Sequence, residues 1–404
     1  MFERIDYYAG DPILGLMEKY TADNNPKKVN LGIGIYYDEN GVLPVLDCVK
    51  TAEERIADPI APRPYLPMAG LPGHRKGCQE LLFGKDAQIL KDGLVATIAT
   101  IATIATIGGS GALKVGAEFI HEWFPQSKCY VSDPTWGNHI AIFEGSDVEV
   151  GKYPYYDKAN SSIKFDEMIA FFETLNKNDV ILLHPCCHNP TGLDLTREQW
   201  DTVLNVIQAR ELIPFMDIAY QGFGEDMDSD AYAIRKAVDM GLPLFVSNSF
   251  SKNLSLYGER VGGLSVVCPT VDETERVFGQ LNATVRRIYS SPPSHGGRVV
   301  DIVMNDEALH KQWVGEVYAM RDRIKAMRLQ LKSVLEAKIP NRNFDYITRQ
   351  NGMFSFTGLT PEQVERLQSE FGIYMVSNSR MCVAGLNTSN IDYVANAMAD
   401  VLKD

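Results

Sequence analysis

Short apolar runs alternate with longer amphipathic stretches through the middle of the chain, and this alternation limits the possible folds more than any other feature. Residues 129–132, 180–183, 213–217, 244–247 and 264–267 are rich in β-branched or aromatic side chains and too short to be helices. Residues 112–123, 196–211 and 231–240 lie between them with helical spacing of their apolar positions. That order predicts an α/β fold, a mainly parallel sheet flanked by helices. All the expected strands except the last run into polar residues: Asp133, His184 leading to Asn189, Asp217, and Ser249 leading to Lys252. Ligands of open α/β sheets bind at that carboxyl edge, so the search for chemistry starts there.

A chain of 404 residues exceeds what one hydrophobic core usually supports. Residues 305–338 read as one long helix joining two lobes, and a smaller α+β lobe follows, with a helix at 361–371, short strands near 374–376 and 382–384, and a last helix at 391–402. The expected division is a large domain over 48–318 and a small one from 1–47 with 319–404. One stretch resists the pattern: Ala96 to Ile107 is four tandem Ala-Thr-Ile triplets, which match neither a strand period nor a helix period. The expectation is a duplication absorbed as a bulge or longer loop, with no chemistry of its own. It is too short to span a bilayer, which takes roughly 20 apolar residues.

Composition removes several classes of partner. A formal charge of -13 repels a polyphosphate backbone, so nucleic acid is not expected. Seven scattered cysteines make no disulfide framework, and the N-terminus has no apolar core of signal-peptide length, so a reducing cytoplasm is expected.

The chemistry concentrates around Ser249-Phe250-Ser251-Lys252 and Glu259-Arg260-Val261-Gly262. A lysine just past a buried strand can lose its proton in a dry site and attack an aldehyde, although most lysines are solvated surface charges. Asp217, ending a strand, either meets a cationic ligand or caps a helix, and Tyr220 either donates to a ligand oxygen or packs in the core. Gly108-Gly109-Ser110-Gly111 before a helix offers backbone N–H groups to a phosphate, to which Arg260 adds a permanent charge. Trp136 can stack on a planar ring or be ordinary core. The run from His184 through Cys186, Cys187 and His188 to Asn189 invites a metal reading. It is rejected because adjacent cysteines on an extended segment point to opposite sides and no second Cys/His cluster completes a tetrahedron.

Together, His-Asn-Pro-Thr-Gly at 188–192, Asp-x-Ala-Tyr at 217–220, Ser-x-Ser-Lys at 249–252 and Glu-Arg-Val-Gly at 259–262 resemble the class I, fold-type I pyridoxal-phosphate aminotransferases, closest to the bacterial aromatic and aspartate enzymes. The likeness runs from about Asp11 to Gly385. It implies that Lys252 is the Schiff-base lysine, that Asp217 pairs with the pyridine nitrogen with His139 behind it, and that Asn189 and Tyr220 address the ring oxygen. Trp136 would stack on the ring. Gly109, Ser110, Ser249 and Arg260 would hold the phosphate, with Tyr65 from a neighbouring subunit of a homodimer. Arg380 matches the arginine for the substrate α-carboxylate, and Arg286 the one reaching across the dimer to a side-chain carboxylate. Ile13, Ile33, Gly34, Tyr37 and Ser291, together with Trp136 and Asn189, complete the substrate site.

Ile35, Tyr37, Leu43, Ser110 and Ser291 lean to the aromatic subgroup, whereas Pro64 departs from both. The function so implied is ping-pong transfer of an amino group between tyrosine, phenylalanine or aspartate and 2-oxoglutarate, with pyridoxal 5'-phosphate as cofactor, no metal, and small-molecule partners only. The alternative is an aspartate aminotransferase with little aromatic activity. A β-lyase or a decarboxylase fits the two arginines less well, and the full complement of candidate residues argues against a silent ligand-binding protein.

Overall fold

The computed structural model describes residues 2–7, 10–58, 62, 64–101 and 108–403. The chain divides into two compact units, 44–321 and 1–43 with 322–404. Helix Glu307–Lys338 supplies residues to both.

The larger unit is built on a seven-stranded sheet: β1 (Val95–Ile101), β2 (Cys129–Asp133), β3 (Val150–Pro154), β4 (Val180–Leu183), β5 (Ile213–Ile218), β6 (Leu244–Ser249) and β7 (Val261–Val267). Their order across the sheet is β1-β7-β6-β5-β4-β2-β3. Only β7 runs antiparallel to its neighbours, while the pairs from β6 to β3 are parallel. β4 is buried along its whole length, as a strand covered on both faces must be.

Helix α1 (Gly108–Trp123) covers one face, over Phe215 of β5 and Phe245 of β6, whose rings stack 5.4 Å apart. A Cβ on Gly116 of α1 would come within 2.5 Å of the Phe215 ring, so this glycine is what lets the helix lie so close to the sheet.

The structure corrects two expectations. β7 begins at Val261 rather than 264, because Gly262 and Gly263 belong to it despite their poor strand propensity. A Cβ at 262 would meet the Asn248 carbonyl at 2.4 Å, and one at 263 the Cys78 sulfur at 2.8 Å, so close approach of neighbouring groups accounts for both glycines. The first half of the triplet repeat is regular strand rather than bulge: Val95 to Ile101 pair in unbroken register with Val267 to Val261. A three-residue repeat serves as strand here because both faces are covered, with Ala96, Thr97, Ile98, Ala99 and Thr100 all buried. The second half, and with it the expected extrusion of extra length, lies outside the described residues.

In the smaller unit Val29–Asn30 pairs in parallel with Ile373–Tyr374, and Phe354–Phe356 pairs antiparallel with Arg380–Cys382. Helices Pro361–Phe371 and Ile391–Lys403 pack on each other. Among the described residues no helix is long and apolar enough to cross a membrane.

Candidate active site

Asp217 lies one residue before the end of β5, with its Cα opposite that of Ser247 on β6. Its side chain is 12% exposed and caps no helix: Oδ2 is 3.0 Å from His139 Nε2, and Oδ1 accepts from the Ser247 hydroxyl. Burial alone would raise the pKa of this carboxyl. The His139 bond and charge, with smaller help from Ser247 and His184, outweigh burial and hold it below the usual aspartate value.

Behind His139 the polar chain continues. Thr135 Oγ1 bridges His139 Nδ1 at 2.9 Å and His184 Nε2 at 3.4 Å, and the His184 ring stacks on His188 at 4.2 Å. His188 in turn bonds Ser132 Oγ and Thr191 Oγ1, both at 2.8 Å, and stacks on Tyr155. Burial, followed by the neighbouring His139, pulls His184 down to about 3; burial and the two other rings depress His188 strongly.

Lys252 follows β6 by three residues, and its Nζ sits 5.2 Å from the centre of the buried Tyr220 ring. Asn189 is buried, and its N–H donates to His184 Nδ1. Trp136 is half-buried just before the helix Gly137–Glu144 and meets the His139 ring edge-on at 5.2 Å. The N-terminus of α1 approaches the same strand ends. A Cβ on Gly109 would lie 3.2 Å from that of Ser249, and one on Gly108, whose φ is +49°, would lie 3.5 Å from Arg260 Nη2. Arg260, itself at φ +56°, donates to Ser251 Oγ and to the Tyr257 carbonyl, and burial lowers its pKa. Ser110 is half-buried in the first turn of α1. Two further residues of this unit are solvent-facing: Tyr65 is 96% exposed, and Arg286 ends helix Val271–Ile288 as an exposed guanidinium bonded to Ser290. Ser291 is half-buried just beyond.

The smaller unit presents Arg380 at the start of its strand. It is 4% exposed, donates to the Gly32 carbonyl at 2.7 Å and lies over the Phe354 ring at 4.2 Å. A Cβ on Gly34 would strike that ring at 2.8 Å, which fixes glycine beside it. Ile13, Ile33, Ile35 and Tyr37 are half-buried and Leu43 is exposed.

Four positioning side chains escaped the sequence reading. Ser247 and Thr135 carry no signal because only sheet register and loop closure bring them to Asp217 and His139, and Ser251 stands in the Ser-x-Ser-Lys motif without a sign that it accepts from Arg260. Arg323 holds the segment around Tyr37 by donating to the Tyr36 hydroxyl and to the carbonyls of Tyr37, Ala384 and Leu386; in sequence it is one more cation of a long helix.

Residues 26–398 match the family model for aminotransferase class I and II, so the chain belongs to that family and is an aminotransferase. It is 56% identical over 403 residues, the full length of both chains, to the aromatic-amino-acid aminotransferase of Escherichia coli K12. It is 45% identical over 402 residues, again full length, to the aspartate aminotransferase of Pseudomonas aeruginosa. Among solved structures, a psychrophilic aromatic amino acids aminotransferase from Psychrobacter sp. B6, cocrystallised with aspartic acid, superposes with TM-score 0.97 at 90% identity over the whole of both chains. An aromatic-amino-acid aminotransferase from Burkholderia pseudomallei, covalently bound to pyridoxal phosphate, does so at 0.96 and 47%, covering 100% of this chain and 99% of that one.

Proposed function

We propose that the protein transfers amino groups between acidic or aromatic L-amino acids and 2-oxoglutarate, with pyridoxal 5'-phosphate held on Lys252. The observation that carries this reading is the buried Asp217 carboxylate, kept ionised by His139 and Ser247 at the strand end next to the one leading to Lys252. The residues fit the cofactor: the site offers an amine, a buried anion for a ring cation, and a glycine cradle at 108–109 facing Ser249 and Arg260, which a side chain would fill.

When bound, the cofactor supplies an aldehyde that condenses with amines and a ring that accepts electrons. The chain's own residues do the rest. Lys252 Nζ would hold the cofactor and, as a free amine, would move the proton at the substrate α-carbon. Asp217 holds a proton at the ring nitrogen, a task that needs a carboxylate of low pKa. Asn189 and Tyr220 orient the ring oxygen, and Trp136 covers a ring face. Backbone N–H groups at the start of α1, with Ser110, Ser249 and Arg260, bind the phosphate.

Arg380 grips the α-carboxylate by paired hydrogen bonds that a lysine would not reproduce. Arg286 and Tyr65, exposed in the single chain, serve the site of a second subunit in a cytoplasmic homodimer. Half-buried Ile13, Ile33, Ile35, Tyr37 and Ser291 favour aromatic side chains as well as acidic ones, because burying a ring against them costs little desolvation.

The test is a set of single-turnover half-reactions with aspartate, glutamate, tyrosine and phenylalanine. The visible absorbance of the purified enzyme should bleach with all four and return on adding 2-oxoglutarate. A protein that stays coloured, or bleaches with none, would overturn the reading.

A further inference from the structure

In three dimensions Cys186 and Cys187 do not point to opposite sides. Adjacent side chains diverge only where the backbone is extended, and Cys187 has φ +51°, a left-handed conformation rare outside glycine. That turn brings both sulfurs to one side, where they lie with a carboxylate oxygen of Asp230 within 4.8 Å of one another. All three residues are buried, at 5%, 3% and 5% exposure.

The surrounding backbone fixes them. Asp194 accepts the N–H groups of Cys187 and His188, each at 2.9 Å, which pins the turn. Asp230 accepts those of Gly222, Gly224 and Glu225 at 2.8–3.0 Å. A carboxylate has about four lone-pair sites, so three backbone donors leave room for one more partner. A protonated thiol is a weak donor and makes poor use of it.

We propose that Cys186, Cys187 and Asp230 form a binding site for one thiophilic divalent cation of the zinc and cadmium type. Two sulfurs select soft metals over calcium or magnesium, and the carboxylate supplies the third ligand. Binding releases the two thiol protons, and the cation then offsets two thiolates and a carboxylate in an interior where none would be stable alone. Cys187 Sγ also lies 3.9 Å from the Tyr220 carbonyl, so the site borders a residue that orients the cofactor, but no step of the transfer runs through the cation. The site stands apart from the transamination reading and survives its failure.

The experiment uses the reduced, untagged holoenzyme, stripped with chelator and titrated with cadmium chloride, with thiolate-to-cadmium charge-transfer absorbance and bound metal per chain as readouts. Zinc-loaded protein is then examined by X-ray absorption. The expected result is one cation per chain, two sulfur neighbours at about 2.3 Å from zinc, and binding at least ~10-fold weaker in Cys187→Ala but unchanged in Cys268→Ala. No bound cation, a ligand shell without two sulfurs, or equal affinity in Cys187→Ala would overturn the site. If that variant does not fold, the X-ray absorption of the wild type decides alone.

Discussion

Mild acid should destabilise this protein through three histidines that the fold keeps buried. His74, His184 and His188 are 0%, 8% and 1% exposed. Burial is the main cause in each: it brings His74 to about 4 and His184 to about 3, and together with the His184 and His139 rings it takes His188 well below its usual value. A free histidine titrates near 6.5, so between that value and the folded ones the unfolded chain holds more protons. Their contribution to stability is therefore complete above about pH 6.5 and lost progressively as the pH falls. From about pH 7 to about pH 5.5 each costs about 1 kcal/mol, or about 3–4 kcal/mol together.

Asp230 works the other way, because burial, against three backbone donors, raises it to about 6. Its folded form takes up a proton over the same interval and returns somewhat under ~1 kcal/mol. The net loss is about 3 kcal/mol, with a net uptake of about two protons on unfolding near pH 5.5. Urea denaturation at the two pH values, with calorimetry in buffers of different ionisation enthalpy, measures both quantities. Undiminished stability at the lower pH, or net proton release on unfolding, would refute the assignment of three neutral buried rings.

Truncating Phe215→Ala should cost about 3–5 kcal/mol in denaturant unfolding, since its fully buried ring packs on Phe245 and Phe143 and against Gly116. Gly262→Ala should loosen cofactor retention, because the new Cβ would meet the Asn248 carbonyl at 2.4 Å and the Gly108 backbone at 3.1 Å, and cofactor loss on dialysis reports it. Cofactor retention equal to wild type would show that the glycine cradle is not needed. Arg286→Ala should lower kcat/KM for aspartate and glutamate by about 10- to 100-fold while sparing tyrosine and phenylalanine, and equal losses would remove Arg286 from the distal carboxylate.

The sheet was legible because strand ends carry chemistry: Asp217 closes one short run rich in β-branched and aromatic residues, and Lys252 follows another. Ser247 was not, because its role depends on the register of β6 against β5, which no local pattern encodes. Gly262 and Gly263 fell outside the strand expected from 264, and only the Asn248 carbonyl and the Cys78 sulfur beside them explain why a side chain is excluded there. Cys187 misled for the opposite reason, since its backbone departs from the extended form that a strand end suggests. The chain Asp217, His139, Thr135, His184 spans several elements and exists only once the sheet has formed.

Transamination by this protein depends on a covalent bond between one lysine and the cofactor. Borohydride reduction of the purified enzyme followed by peptide mass mapping should place a single pyridoxyl group on the peptide carrying Lys252, and Lys252→Ala should lose both the adduct and the visible absorbance. A pyridoxyl group on another lysine, or none on a coloured enzyme, would remove Lys252 from this role.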